Sequence, residues 1–221
     1  MADIFKLAIL IFVSYFLGAI PTGFLVGKIF FGKDIRREGS KNTGATNVFR
    51  VFGPLPGIAV LVIDVLKGFL PVFFIPEMLF PMGALGNTPV LAGLACVAGH
   101  NWTVFLDFKG GKGVATSLGV FLALAPLQTV LAASVFALVL GLTGYVSLGS
   151  LTAGVALSVF LWISPALPLE KYFGLNFMLI QDVQLSIKII GSIIALLVFY
   201  THRTNINRLL EGKENRLWRK K

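Results

Sequence analysis

Charge and cysteine are what this chain has least of. Charged residues fill 13% of its 221 positions, against roughly 25% in a soluble globular chain. Cys96 is the single cysteine. It excludes an intramolecular disulfide and any multi-cysteine metal site, and in its apolar surroundings it reads as a packing residue. A Ser-x-His-x-Asp arrangement, a paired carboxylate site and a Walker A loop are also missing, so covalent catalysis by a thiol or carboxylate has no candidate on the cytoplasmic face beyond Asp107, and nucleotide hydrolysis loses support. No internal repeat appears, and with it goes the inverted-repeat sign of many transporters.

What the sequence has instead is apolar length. The hydrophobic fraction is 56% and the mean hydropathy is +0.86, spread over continuous runs rather than period-two alternation. That pattern excludes a β-barrel and predicts an all-α integral membrane protein, one polytopic domain over 1–221. The start, MADIFK, leads into a run too long for a signal peptide and is read as the first span. That span covers Leu7 to Phe31, kinked at Pro21, with Gly23 and Gly27 forming a GxxxG step for a neighbouring helix. A second span runs from about Leu55 to Phe74 with Asp64 and Lys67 inside it, and a third from about Val90 to His100. From Gly113 to Leu169 there is no charged residue; Pro126 and the Gly141–Tyr145 cluster divide this stretch into three helices. Residues 164–183 read as an interfacial loop, and a seventh span runs from about Leu185 to Tyr200.

About seven helices put the termini on opposite sides. Of the 19 basic residues, 15 fall on one side of that arrangement. By the positive-inside rule that side is the cytoplasm, with the N-terminus outside and the C-terminus cytoplasmic. Topology therefore accounts for most of the net charge of +9, and nucleic acid is not an expected partner. The basic tail, with Leu209, Leu210, Leu217 and Trp218, is expected to lie on anionic headgroups.

Three polar islands face that same side. The first, GSKNTGATN followed by Arg50, offers hydroxyl and amide donors and one guanidinium that can hold phosphate bidentately. Taken alone it is an ordinary capped turn. The second holds Gly110, Gly111, Lys112 and Gly113 ahead of a helix start, where backbone N–H groups, the helix dipole and the ammonium favour an anion. His100 and Asp107 lie too far apart in sequence for the His-x4-Asp pair of a large acyltransferase class, and His100 reads equally as a capping residue. Asn101-Trp102-Thr103 fits the glycosylation sequon, by coincidence on a cytoplasmic loop. The third island is HRTNINR, with His202 and Asn205 three apart on one helix face. Asp64 and Lys67 pair within a span; they mark function or structure about equally and stay outside the primary site.

Together GSKNTGATNVFR, DVLKG, GHNWTVFLDFKGGKGVAT, YVSLGS and HRTNINR resemble the acyl-phosphate-dependent glycerol-3-phosphate acyltransferases of bacteria, the PlsY family. The resemblance covers the length of the chain. It implies seven transmembrane helices in the bacterial cytoplasmic membrane and an active site on the cytoplasmic side. It also implies transfer of a fatty acyl group from acyl phosphate to the 1-hydroxyl of sn-glycerol 3-phosphate, giving lysophosphatidic acid, with no metal, cofactor or acyl carrier at the site. Carried over, Ser40, Arg50 and Lys112 match phosphate-binding positions, assisted by backbone N–H groups of Gly110–Gly113. Asn42, Thr46 and Asn47 match the first motif, Ser147 and Ser150 the third, and His202 and Asn205 the positions that hold glycerol 3-phosphate. Lys41 departs from the pattern, where a small residue is expected. His202 or a substrate phosphate oxygen is the general base. The alternatives are an organic-anion or phosphate transporter and a non-catalytic lipid-binding membrane protein.

Overall fold

The computed structural model describes residues 1–81, 86–163 and 180–217, with backbone alone for 180–184. Among the described residues all regular structure is helical: α1 (Ala2–Ala19), α2 (Thr22–Phe31), α3 (Ala45–Phe52), α4 (Pro54–Leu79), α5 (Thr88–Asn101), α6 (Val114–Leu124), α7 (Pro126–Thr143), α8 (Val146–Ile163), α9 (Ile180–Thr201) and α10 (Arg203–Leu210). The expected interfacial loop at 164–183 lies outside these residues up to position 179; from Ile180 the backbone is already helical.

Five helices, or six if α9 and α10 count as one span across their 60° bend, are long and apolar enough to cross a bilayer. The first expected span is in fact two helices. Pro21 has no N–H to continue the ladder, so α1 stops at Ala19 and α2 restarts at Thr22. At ten residues α2 is about 15 Å long, half a hydrocarbon core. The divisions expected at Pro126 and around Gly144 fall where the helices do break. Pro126 opens α7 at its first position, where a missing N–H is harmless, and Gly144 ends α7 in the left-handed conformation at φ 76°.

Glycine sets the closest crossings. A Cβ on Gly18 would overlap the carbonyl of Cys96 and one on Gly99 that of Tyr15, so α1 and α5 meet backbone to backbone; Gly68 and Gly119 do the same for α4 and α6. Gly23 and Gly27 admit no second span. They make room for the carbonyls of Thr43 and Lys33, and so seat the α2–α3 loop.

The membrane-depth charges of α4 are satisfied. Lys67 Nζ lies 2.8 Å from Asp64 Oδ1 and donates at 2.9 Å to the Ile20 carbonyl, which also accepts from Thr22 N–H across the α1–α2 break. Thr22 Oγ1 donates to Asp64 at 2.9 Å. The pair therefore pins the α1–α2 break against α4. Cys96 is buried and donates to the Lys67 carbonyl at 2.8 Å. Around this interior, large apolar side chains such as Phe12, Leu66, Leu138 and Leu196 stay exposed on α1, α4, α7 and α9, as a surface facing lipid requires.

Candidate active site

Four connections meet at one end of the bundle: the α2–α3 loop, the α5–α6 loop, the α7–α8 turn and the bend between α9 and α10. They enclose a cavity of about 420 Å³. Ser40, Asn42, Thr46, Asn47 and Arg50 line it from the first connection; Lys112 and Gly113 from the second; Ser147 and Ser150 from α8; His202 and Asn205 from the bend. Of the residues expected from sequence, only Gly110 and Gly111 stand outside the lining.

Those two glycines do a different job. Gly110 N–H donates to the Asn101 carbonyl and Gly111 N–H to the His100 carbonyl, each at 3.0 Å. Both amides are spent on carbonyls that α5 leaves open at its end, so the phosphate cradle expected from Gly110–Gly113 narrows to Lys112 and Gly113. A Cβ on Gly110 would strike the His100 carbonyl and one on Gly111 the His100 ring. Gly113 sits at φ 80° with the Asn101 amide beneath it, where only glycine is free of strain. Asn101 is buried, which rules out its use as a glycosylation acceptor. His100 lines the cavity while Asp107 is exposed, so the two do not form a pair.

The first loop is stitched by one side chain. Asn47 is 1% exposed; its Oδ1 accepts from Ser40 N–H at 2.8 Å, and its Nδ2 donates to the carbonyls of Ile35, Glu38 and Asn42. Asn42 Oδ1 in turn accepts from Gly44 N–H at 2.9 Å. Asn42 and Asn47 thus hold the loop that presents Ser40. Lys41, the departure from the family pattern, sits at φ 60°, a conformation that favours glycine. Arg50, one turn beyond Asn47 on α3, donates from Nη2 to the Asn215 carbonyl at 2.9 Å. Its Nε is buried without a partner.

Lys112 Nζ donates to Asn205 Oδ1, and its carbonyl accepts from Thr201 Oγ1 at 3.3 Å. Burial pushes Lys112 down to about 8; Glu214 pulls it back up, and Arg208 and Arg50 lower it further. Arg50 is lowered too, first by burial, against Glu214 and with Arg208. Burial and the neighbouring positive charge of Arg208 thus both disfavour the charged forms of Arg50 and Lys112. His202 is buried, beyond the end of the α9 span, and its Nδ1 sits 2.8 Å from the Val198 carbonyl. A carbonyl only accepts, so Nδ1 carries the proton and Nε2 is the free ring nitrogen. Burial, and then Lys112, brings His202 down to about 4.

Two acidic residues were not foreseen in this site: Asp64, kept apart from it on sequence grounds, lines the cavity from α4, and Glu214 lines it from the tail. Glu214 is buried; its Oε1 accepts from Asn205 Nδ2 and its Oε2 from Arg208 Nε, both at 2.8 Å. Burial raises Glu214, but the hydrogen bonds from Arg208 and Asn205 leave it below its ordinary value. Around it the tail folds back over the cavity mouth. Leu217 N–H donates to the Gly144 carbonyl at 2.8 Å, the Arg216 guanidinium lies 5.2 Å from the Tyr145 ring centre, and Leu217 lines the cavity. The tail expected to lie on headgroups is thus a strap across the site up to Leu217; Leu210 remains 83% exposed, and Trp218 lies outside the described residues. In the sequence Glu214 is one of two carboxylates, with Glu211, in an otherwise basic run, and nothing there sets it apart.

Chemically, the cavity offers cations and donors at its mouth and small apolar side chains between α7, α8 and α9. The family profile described as Glycerol-3-phosphate acyltransferase matches residues 8–212. A glycerol-3-phosphate acyltransferase of Fusobacterium nucleatum subsp. nucleatum is 44% identical over 93% of this chain and 95% of its own. One of Enterococcus faecalis is 40% identical over 96% of this chain and 92% of its own. Among solved structures, PlsY, an integral membrane glycerol 3-phosphate acyltransferase, superposes in its glycerol 3-phosphate form with a TM-score of 0.80 at 36% identity, covering 95% of this chain and 94% of that one. Its lysophosphatidic acid form gives 0.78 at 35% identity over the same shares.

Proposed function

This chain belongs to the PlsY family of glycerol-3-phosphate acyltransferases, and on that footing we propose that it moves a fatty acyl group from acyl phosphate to the 1-hydroxyl of sn-glycerol 3-phosphate. The products are lysophosphatidic acid and inorganic phosphate. The observation that carries this reading is the meeting of Arg50 and Lys112, from connections far apart in sequence, with His202 and Asn205 in one cavity. A transporter reading has no comparable support: the polar groups gather at one end of the bundle and the named relatives are acyltransferases.

An acyl phosphate is a mixed anhydride with phosphate as leaving group, so no protein nucleophile is needed. The 1-hydroxyl oxygen attacks the acyl carbon, the carbonyl electrons move to oxygen and return, and the bond to phosphate breaks with its electron pair on phosphate. What the protein adds is proximity of two anions that repel each other, and positive charge where the leaving group gains electrons. Arg50, through its unpartnered Nε, and Lys112 take the phosphate oxygens, with Ser40, Thr46 and Gly113 at the rim. Asn42 and Asn47 hold the loop that carries Ser40. Ser147 and Ser150 border the acyl phosphate, while His202 and Asn205 orient the glycerol. For the hydroxyl proton two acceptors compete. Burial holds His202 below the ordinary imidazole range, which weakens it as a base, so we assign the proton to a phosphate oxygen of the substrate, with His202 Nε2 aligning the hydroxyl.

In the membrane, α1, α4, α5, α7, α8 and, taken with α10, α9 are long and apolar enough to cross; the seventh crossing we count is α6, Val114–Leu124, which at about 16 Å covers only half of a hydrocarbon core by itself. The N-terminus is then outside and the site opens to the cytoplasm of a bacterial cell, by the distribution of basic residues. The acyl chain lies between helices, reached sideways from the bilayer. Detergent-purified protein given hexadecanoyl phosphate and glycerol 3-phosphate is expected to form lysophosphatidic acid. Hexadecanoyl-coenzyme A in its place is expected to give none. Transfer from the thioester at an equal rate would refute the donor assignment.

A further inference from the structure

The apolar part of the cavity is an arm of defined depth, open to the bilayer on its α4 side, where Ile58 and Leu61 line it and are exposed. Its walls run from Leu140 to Thr129 on α7, from Val146 to Leu157 on α8, and from His202 to Gly191 along α9. Each stretch is about 16 Å of helix at 1.5 Å per residue. That is roughly half of a 30 Å hydrocarbon core, one leaflet deep. Midway down, the lining is small: Ala132, Ala133, Ala153, Gly154 and Ala195. A Cβ on Gly154 would meet only Ala195, at 3.9 Å, so the width there is set by missing side chains. The far end is shut by bulk. Behind Gly191 stand Leu161 and the Phe121 ring, both buried, and Thr129 turns its hydroxyl back to the Ala125 carbonyl at 2.7 Å.

We infer that this arm is a ruler for the acyl chain, with Gly154 and Ala195 as the residues that keep it open and Gly191, backed by Leu161 and Phe121, as its end. The inference rests on the reaction proposed above and adds to it a chain-length preference and the residues that set it. An extended chain advances about 1.2 Å per bond, a third of the ~3.6 Å of an extended residue, so the arm holds roughly 13 carbons in a straight line. Gly154 stands about 12 Å below Val146, near the tenth of those carbons. Beyond the end, further carbons must bend out between the helices and gain little from the enzyme. A chain taken from water would gain about a fourfold preference per carbon, the equivalent of ~0.8 kcal/mol per buried methylene; one that leaves lipid gains only the difference in packing, so the climb per carbon is smaller.

The test compares octanoyl, dodecanoyl and hexadecanoyl phosphate at equal surface fraction in mixed micelles. For the wild-type protein kcat/KM is expected to climb from octanoyl to dodecanoyl and then level off. Gly154→Leu is expected to cut the hexadecanoyl-to-octanoyl ratio at least tenfold, while lysophosphatidic acid still forms from octanoyl phosphate and so certifies the fold. If Gly154→Leu does not accumulate, Ala195→Val narrows the same level with two added methyl groups and carries the same expectation. A ratio that stays at the wild-type value in the folded variant overturns the ruler, as does a wild-type profile flat from octanoyl to hexadecanoyl. Wild-type protein that uses no acyl phosphate of any length refutes instead the reaction on which the ruler rests.

Discussion

Replacing Lys112 by methionine removes one charge and keeps the length and bulk of the side chain. Its consequences for activity and for stability have opposite signs. In the folded protein burial brings Lys112 from 10.5 to about 8, so the fold would rather hold a neutral side chain there. A shift of that size corresponds to about 3 kcal/mol at 1.36 kcal/mol per unit. The sign follows from linkage: between pH 8 and 10.5 the unfolded chain binds more protons than the folded one, so wild-type stability rises with pH through that window and carries the full cost below it. Methionine escapes the cost, though it leaves Asn205 Oδ1 without its donor, which returns about 1–3 kcal/mol. Lys112→Met is therefore expected to melt at or above the wild-type temperature at pH 7, with any advantage fading toward pH 10. Its kcat/KM is expected to fall by about 10²–10³, the scale of losing one charge-stabilising donor at a reacting centre. Differential scanning fluorimetry in detergent and a phosphate-release assay on one preparation measure both. Near-normal turnover would remove Lys112 from the phosphate site; a melting temperature several degrees lower would show that the ammonium stabilises the fold.

Arg50→Ala is expected to abolish detectable acyl transfer in phosphate-release assays, while circular dichroism shows the wild-type helix content, since Arg50 holds only the Asn215 carbonyl. In wild-type protein kcat/KM should fall as pH rises through about 8, because Lys112 must be protonated to meet the phosphate; a flat profile to pH 9.5 would contradict that requirement. Lys67→Met strands a buried carboxylate at Asp64 and should cost about 3–5 kcal/mol, most of it recovered in Asp64→Asn/Lys67→Met, as thermal melts would show. His202→Ala should lower kcat by at least tenfold without moving the pH profile, because His202 orients the hydroxyl and does not accept the proton; a changed acid limb would make it the base.

Much of the site was legible in the sequence because membrane topology does the sorting. Hydropathy fixes which stretches are helices, basic residues fix which ends share a side, and the polar islands of that side then have to meet. The breaks at Pro126 and Gly144 carry their own chemistry, a missing N–H and a positive φ. Other features depend on partners remote in the chain. The amides of Gly110 and Gly111 look free until the end of α5 is seen to use them. Gly23 and Gly27 form a motif that two helices commonly share, yet here the neighbours are loop carbonyls. The pair Asp64–Lys67 meets the Ile20 carbonyl and the Thr22 hydroxyl at the α1–α2 break, a junction that exists only once the two helices are known to separate. Glu214 was hidden by its surroundings: a basic tail reads as a membrane-surface segment, and nothing local says that it folds back onto Asn205.

The most direct test of the central claim is a crystal structure of this chain with glycerol 3-phosphate and a non-hydrolysable acyl phosphonate bound together. The expected result places both anionic groups against Arg50 and Lys112, with the 1-hydroxyl beside His202 Nε2 and about 3–3.5 Å from the acyl carbon. Two anions bound at separate places, or a glycerol 3-phosphate that touches neither Arg50 nor Lys112, would contradict it.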